Sequence, residues 1–146
     1  MSAQNETLAL YSYSIQGETP KNVVLRESVK YICDKAFFRC TNMETLYLPD
    51  GMLQINREAF YDCISLREVS LPASLLLIGR DIFHGCDKME TVRFRGSKEQ
   101  FEKIRKAQGE LVEEYVFDER TGRDVLTVSE RLPWNGGKQL KIVFEE

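Results

Sequence analysis

The sequence is poor in the residues that most often do chemistry. Its 146 residues include one histidine, one tryptophan and four cysteines, with no C-x-x-C pair. No G-x-S-x-G, H-E-x-x-H or glycine-rich phosphate loop occurs, so the short motifs that place a nucleophile, a zinc ion or a nucleotide phosphate are missing. Net charge is −3 with both signs scattered along the chain. That gives neither the basic stripe of a nucleic-acid binder nor an acidic tail. The longest uncharged apolar run, Leu75–Gly79, is far too short to span a bilayer. The first residues, Met1 to Glu6, are polar and lack the apolar core of a secretory signal. A cytoplasmic protein is therefore expected, with the cell surface or secretion as the alternative if the chain is part of a longer exported one. No cofactor, metal, nucleic acid or membrane insertion is expected.

What the chain does have is a repeat. Four columns are identical in three copies spaced 23 residues apart: Leu25/Leu48/Leu71, Ile32/Ile55/Ile78, Phe37/Phe60/Phe83 and Cys40/Cys63/Cys86. Four more hold only apolar residues: Val29/Met52/Leu75, Ala36/Ala59/Ile82, Met43/Leu66/Met89 and Leu46/Val69/Val92. A period of 20–29 residues with an L-x-x-L-x-L segment signals a leucine-rich solenoid. The segments here are Met43-x-x-Leu46-x-Leu48, Leu66-x-x-Val69-x-Leu71 and Met89-x-x-Val92-x-Phe94. Each alternates in and out as a short strand must, so stacked rungs form a parallel sheet on the concave side. The interval from Ile55 through Ala59 and Phe60 to Cys63 turns back to fill the convex wall, where the phenylalanines form a ladder.

The expected fold is thus α/β: a leucine-rich repeat solenoid, a short horseshoe, in one domain covering 1–146. Residues 25–96 are the repeats, 1–24 an N-terminal cap and 97–146 a C-terminal cap. In the first cap, Leu8–Ile15 and Val23–Arg26 flank Gln16–Asn22 as a hairpin. The second opens with a helix: Ser97 as N-cap, Gln100 at N3 closing a capping box, an apolar stripe at Phe101 and Ile104, and Gly109 at the end. Val112-x-x-Tyr115-x-Phe117 falls 23 residues after Met89-x-x-Val92-x-Phe94 and predicts a further in-phase strand. Val125–Val128 and Leu140–Phe144 are β-like runs around a turn at Asn135–Gly137, and Trp134 is the expected anchor of this cap.

These residues resemble the BspA-type leucine-rich repeat family of bacterial surface and secreted proteins. Its rung reads about L-P-x-x-[LV]-x-x-I-G-x-x-A-F-x-x-C-x-x-L-x-x-[VI]. Leu48-Pro49, Ile55, Ala59-Phe60, Cys63, Leu66 and Val69 match it, as do Leu71-Pro72, Ile78-Gly79, Phe83 and Cys86. The run Val92 to Ile104 is similar to the F-x-G-T-x-x-Q-W-x-x-I ending common in the family. Cys33 and Asn56 stand where the family prefers glycine, Ile82 replaces alanine and Arg26 replaces proline. The resemblance implies binding roles such as adhesion, and no catalytic motif.

Two sets of residues invite chemistry and one invites binding. Cys40, Cys63 and Cys86 point in parallel rather than at one another, so buried unpaired thiols are expected, with Cys33 the one plausible reactive thiol. His84 shares a column with Phe38 and Tyr61 and reads as a surface residue rather than a general base. The concave face stacks three columns: Asn22, Thr45, Glu68, Thr91, Glu114; Val24, Tyr47, Ser70, Arg93, Val116; and Arg26, Pro49, Pro72, Arg95, Asp118. Tyrosine and arginine are enriched at interface hot spots. Thr45, Tyr47, Glu68, Ser70, Thr91, Arg93 and Arg95 are therefore the partner-binding candidates, with Ser70 leaving a gap between Tyr47 and Arg93. The expected function is a non-catalytic protein-binding module, a monomer whose partner is a protein. The alternatives are a spacer segment of a larger surface adhesin or a small intracellular inhibitor.

Overall fold

The computed structural model of the protein describes residues 19–146. The expected strand at Leu8–Ile15 lies outside these residues. Each rung contributes one strand to a main parallel sheet, one short strand to a side sheet, and a run of turns to a third wall.

The main sheet runs β1 (Asn22–Val24), β3 (Thr45–Tyr47), β5 (Glu68–Pro72), β7 (Thr91–Arg95) and β11 (Lys141–Phe144), neighbours in that order. Its first four strands pair at the repeat offset: Asn22 opposite Thr45, Thr45 opposite Glu68, Glu68 opposite Thr91. Val23, Leu46, Val69 and Val92 point inward and are buried, as the period-2 pattern requires. β1 is thus a main-sheet strand, although it precedes the boundary at which the repeats were expected to start. The side sheet holds β2 (Tyr31–Ile32), β4 (Gln54–Ile55), β6 (Leu77–Ile78) and β8 (Arg105–Lys106). It was not expected, because two residues are too few to show a period.

The third wall is a ladder of turns. Phe37 N–H donates to Ala59 O at 2.8 Å, Phe60 N–H to Ile82 O at 2.9 Å, and Asp62 N–H to His84 O at 2.7 Å. Two residues per rung take left-handed backbone: Lys35, Glu58 and Asp81, then Arg39, Asp62 and Gly85. Five of these six are not glycine, so tertiary packing overrides the local preference. Inside this wall Phe37, Phe60 and Phe83 are fully buried, with ring centroids 5.5 and 5.6 Å apart. Gly79 is placed where a Cβ would lie 2.6 Å from Arg57 N and 2.9 Å from Asn56 C; rung contact, not backbone conformation, demands glycine there. Four exposed ion-pair contacts span neighbouring rungs at the same 23-residue offset, Lys21–Glu44, Arg39–Asp62, Arg57–Asp34 and Arg67–Glu44. Each contributes little.

The last rung differs from the expectation. Helical content is low: among the described residues there is one helix, α1 (Lys98–Lys103), with the expected capping box between Ser97 and Gln100 but ending at Lys103, well before Gly109. β9 (Glu110–Asp118) is not an in-phase solenoid strand. It pairs antiparallel with β10 (Arg123–Arg131) in a separate two-stranded hairpin. The registers show how the rung is built. Arg105 pairs with Leu77 at an offset of 28 residues, so α1 adds five to the repeat. Lys141 pairs with Thr91 at an offset of 50, so a further 22 residues are spent before β11, the length of segment 110–131. The apparent phase of Val112, Tyr115 and Phe117 is coincidental. Those residues find their strand partners within the hairpin and do not cover the core; Tyr115 is 73% exposed and Phe117 60%.

The core end is closed by other side chains. Phe101, Ile104 and Trp134 are buried, and Phe144 packs against them. Trp134 is buried at this end of the core. Its ring meets Phe101 edge-on at 5.9 Å, its carbonyl accepts from Ile82 N–H at 3.0 Å, and the Pro133 carbonyl accepts from Asp81 N–H at 2.8 Å.

Candidate functional site

The outward side chains of the main sheet stand in columns fixed by backbone pairing. Thr45, Glu68 and Thr91 form one column, and Tyr47, Ser70 and Arg93 the next, as the repeat offset required. The fifth members are corrected. Lys141 and Val143 occupy the places expected for Glu114 and Val116, because β11 and not β9 pairs with β7. Glu145, whose N–H donates to Phe94 O at 2.8 Å, follows in place of Asp118. Together Asn22, Thr45, Tyr47, Glu68, Ser70, Arg93, Arg95 and Glu145 line an open depression of about 320 Å³, with the exposed Val24 also in its lining. Thr91 is in the register of this face but not in the lining of the depression.

The two arginines behave differently. Arg93 Nε donates to Glu68 Oε1 at 2.9 Å while its side chain stays 42% exposed. That bond and the Glu68 charge hold its pKa above the ordinary guanidinium value. Arg95 reaches back over two rungs. Its guanidinium donates to Ser70 Oγ at 2.6 Å, to Leu48 O, and to Asp50 Oδ1 at 3.1 Å, and its centre lies 4.0 Å above the Tyr47 ring. Ser70 therefore leaves no open gap: Arg95 fills the space over it. The small residue is what admits the guanidinium. Arg95 packs over the Tyr47 ring, and Tyr47 and Arg93 stay accessible in the neighbouring column. Thr45 Oγ1 bonds Asn22 Oδ1 at 2.6 Å along the first column.

The electrostatics are balanced. Glu68 faces Arg93, Asp50 faces Arg95, and Glu145 lies at the edge.

Elsewhere the chemistry-bearing residues are committed to the fold. Cys40, Cys63 and Cys86 are buried and form no disulfide, with Cys63 and Cys86 thiols donating to Phe37 O and Phe60 O at 3.0 Å each. The Cys63 thiol is pushed well above its ordinary pKa by the neighbouring Cys40 and Cys86 sulfurs and by burial. Cys33 is half-buried, and burial followed by the Asp34 charge raises its pKa as well. Phe38, Tyr61 and His84 stack as a half-exposed ring column, centroids 5.2 and 4.7 Å apart, and His84 Nδ1 lies 2.8 Å from Asp81 Oδ2. A second depression, of about 290 Å³, lies at the base of the hairpin. Four of its charged residues already pair, Arg57 with Asp34 and Arg131 with Glu110. Among the described residues, no group of three or more His, Cys, Asp or Glu side chains is arranged to hold a metal, and no helix is long and apolar enough to cross a membrane.

Comparison with known proteins bears on this architecture. Residues 9–108 match the family model described as a BspA type leucine rich repeat region (6 copies). No curated protein matches the chain. Among solved structures, the chain is similar to a leucine rich cell surface protein from Faecalibacterium prausnitzii, at 22% identity and a TM-score of 0.48. The match covers 57% of this chain and 28% of that one.

Proposed function

The chain belongs to the BspA-type leucine-rich repeat family, and on that premise we propose that it is a non-catalytic protein-binding module that takes its partner on the main sheet. The observation that supports this reading most is the column Tyr47–Ser70–Arg93, held by the sheet and braced by Arg95. An exposed tyrosine whose ring is already fixed presents a large contact area at little entropic cost. The Arg93 fork, paired among the described residues with a half-buried Glu68, is able to exchange that partner for a carboxylate or carbonyl brought by a ligand. Thr45, Glu68, Ser70 and Thr91 supply the polar surround, and Arg95 acts through Tyr47.

The setting we propose is a bacterial cell surface. The cytoplasmic expectation rested only on the first few residues of the sequence, whereas a BspA-type repeat points outward from the cell.

The experiment is affinity capture with the intact protein and a Tyr47→Ala/Arg93→Ala variant side by side, with retained proteins identified by mass spectrometry. Both substitutions are on the surface, so the melting temperature should stay within a few degrees of the parent. Proteins held by the parent and lost by the variant are the expected result. A partner then measured in solution should bind the variant more weakly by about 1–3 kcal/mol per residue. If the same proteins are retained equally by both, the main sheet is not the interface. A spacer role would leave no specifically retained protein at all.

A further inference from the structure

The hairpin β9–β10 has no part in the register of the solenoid, yet it carries a large share of the exposed apolar surface. Alternation along β9 and its register with β10 put Leu111, Tyr115 and Phe117 on one face with Leu126 and Val128 beside them. All five side chains are exposed. A contiguous apolar face of this kind on a soluble surface marks an interaction site. A two-stranded ribbon is also marginal when alone and gains from a third strand.

The charges specify what kind of strand. Glu110, Glu113, Glu114 and Asp118 lie on β9, which has no basic residue. β10 is balanced, with Arg123 and Arg131 against Asp124 and Glu130. Glu110 and Asp118 have arginine neighbours, Arg131 and Arg120, whereas Glu113 and Glu114 have no ion pair among the described residues. β9 pairs only with β10 there, so its other edge offers unpaired backbone donors and acceptors.

A second copy of the chain is a poor occupant. Antiparallel pairing of β9 with itself, centred to use all nine residues, sets Glu114 against Glu114 and Glu110 against Asp118. The same operation on β10 sets Arg123 against Arg131 and Asp124 against Glu130. Like charges directly opposite destabilise a ladder. Stacking the apolar faces of two copies would bury Glu113, Asp124 and Glu130, which lie on that face, with no basic residue on it to answer them. Residues 1–18 contain no lysine or arginine to answer these carboxylates.

We propose that the hairpin is a second docking element, distinct from the main-sheet groove. It takes a β-strand of a different protein, alternating apolar and basic residues, which adds to the outer edge of β9. Main-chain hydrogen bonds hold the strand, Tyr115 and Phe117 cover its apolar side chains on one face, and Glu114, on the opposite face with Glu110 and Asp118, meets its lysines or arginines.

The test uses the full chain with two synthetic ten-residue peptides, one alternating valine or threonine with lysine, the other with glutamate in place of lysine. Hydrogen exchange is followed segment by segment. The lysine peptide should slow exchange across 110–118 by about tenfold or more and leave the main-sheet strands unchanged. The glutamate peptide should not. A Glu114→Lys variant, at an exposed position, should shift the preference toward the glutamate peptide by roughly tenfold while melting like the parent. The Tyr47→Ala/Arg93→Ala variant should bind the lysine peptide as the parent does, so failure of the groove and failure of the hairpin read out separately. Equal protection by both peptides, or none across 110–118, overturns the proposal. So does concentration-dependent dimerisation of the free chain that Tyr115→Ser/Phe117→Ser abolishes, which makes a second copy the occupant. Binding of the free chain to neutral phosphatidylcholine vesicles, lost with the same two substitutions, overturns it in favour of a lipid surface.

Discussion

Excising the hairpin tests the architecture most directly. Residues 110–131 are removed and Gly109 is joined to Leu132 through one added glycine. Glu110 and Arg131 are opposite each other at the open end of the ribbon, so the stems stand only about 5 Å apart. Gly109 already approaches Pro133, with an added Cβ expected 3.4 Å from Pro133 Cδ. One residue spans that gap without moving either stem. The side-chain interaction lost is the exposed ion pair Arg131–Glu110 at 3.5 Å, worth about 0–1 kcal/mol. Shortening the connection roughly fivefold returns about 1 kcal/mol of loop-closure entropy. The two terms offset, so the net change should lie within about 1 kcal/mol. With a urea slope of roughly 2 kcal/mol/M, the midpoint should move by no more than about 0.5 M. Fluorescence of Trp134, the single tryptophan and buried in the cap, reports the transition. A loss of more than about 2 kcal/mol, or of cooperativity, would refute the reading of 110–131 as an insertion.

Trp134→Ala should destabilise the same chain by about 3–5 kcal/mol, because it empties the site that closes the core over Phe101; an unchanged urea midpoint would show that the cap is held elsewhere. Gly79→Ala should cost about 1–3 kcal/mol, since the new methyl meets Arg57 and Asn56 backbone that cannot step aside. A melting temperature within error of the parent contradicts that contact. Arg95→Lys should cost more than Arg93→Lys in denaturant unfolding, by about 1 kcal/mol, because only Arg95 makes a three-partner fork and a stacked contact. Equal losses would deny Arg95 its positioning role. Thiol titration should find at most Cys33 reactive in the folded state and all four cysteines after unfolding without reductant, since the other three are buried. Rapid native reaction of a second thiol, or fewer than four in total, would count against the cysteine column.

The repeated part was legible because each rung meets the same demand. Leu48, Ile55, Phe60, Cys63 and Val69 face one core from three walls, so a 23-residue period in sequence becomes a translation in space. The side sheet was illegible: its strands are two residues long, and backbone pairing across rungs, not side-chain pattern, defines them. The last rung failed for a different reason. Val112, Tyr115 and Phe117 satisfy the repeat spacing by accident, and a spacing rule has no means of noticing that α1 had already lengthened the rung by five residues. The signal that could have found the true fifth strand is Lys141-Ile142-Val143-Phe144, which copies the alternation of Thr91-Val92-Arg93-Phe94 and stands opposite it. The columns Tyr47–Ser70–Arg93 and Thr45–Glu68–Thr91 followed from period alone. The path of Arg95 did not, because a long side chain crossing two rungs is invisible to any count of residues.

The position of the insertion has a physical cause in the same geometry. In the inner rungs, the link from side sheet to turn wall is clamped from both sides. Asn56 and Arg57 sit between the first rung and Gly79, Glu58 N–H donates to Arg80 O, and Asn56 N–H donates to Ile32 O. Twenty-two extra residues at that point would have to pass through a neighbouring rung. In the last described rung the equivalent link, Ala107–Gln108, has a solenoid rung on one side only: Ala107 N–H donates back to Ile78 O, and its carbonyl accepts from Trp134 N–H on the return. The hairpin leaves and re-enters between those two hydrogen bonds. The turn wall beyond is fixed by the edge-on packing of Trp134 on Phe101 rather than by a further member of the phenylalanine ladder. A rung that needs neither the repeat length nor the repeat column is the place where the chain is able to grow an arm without disturbing the main sheet.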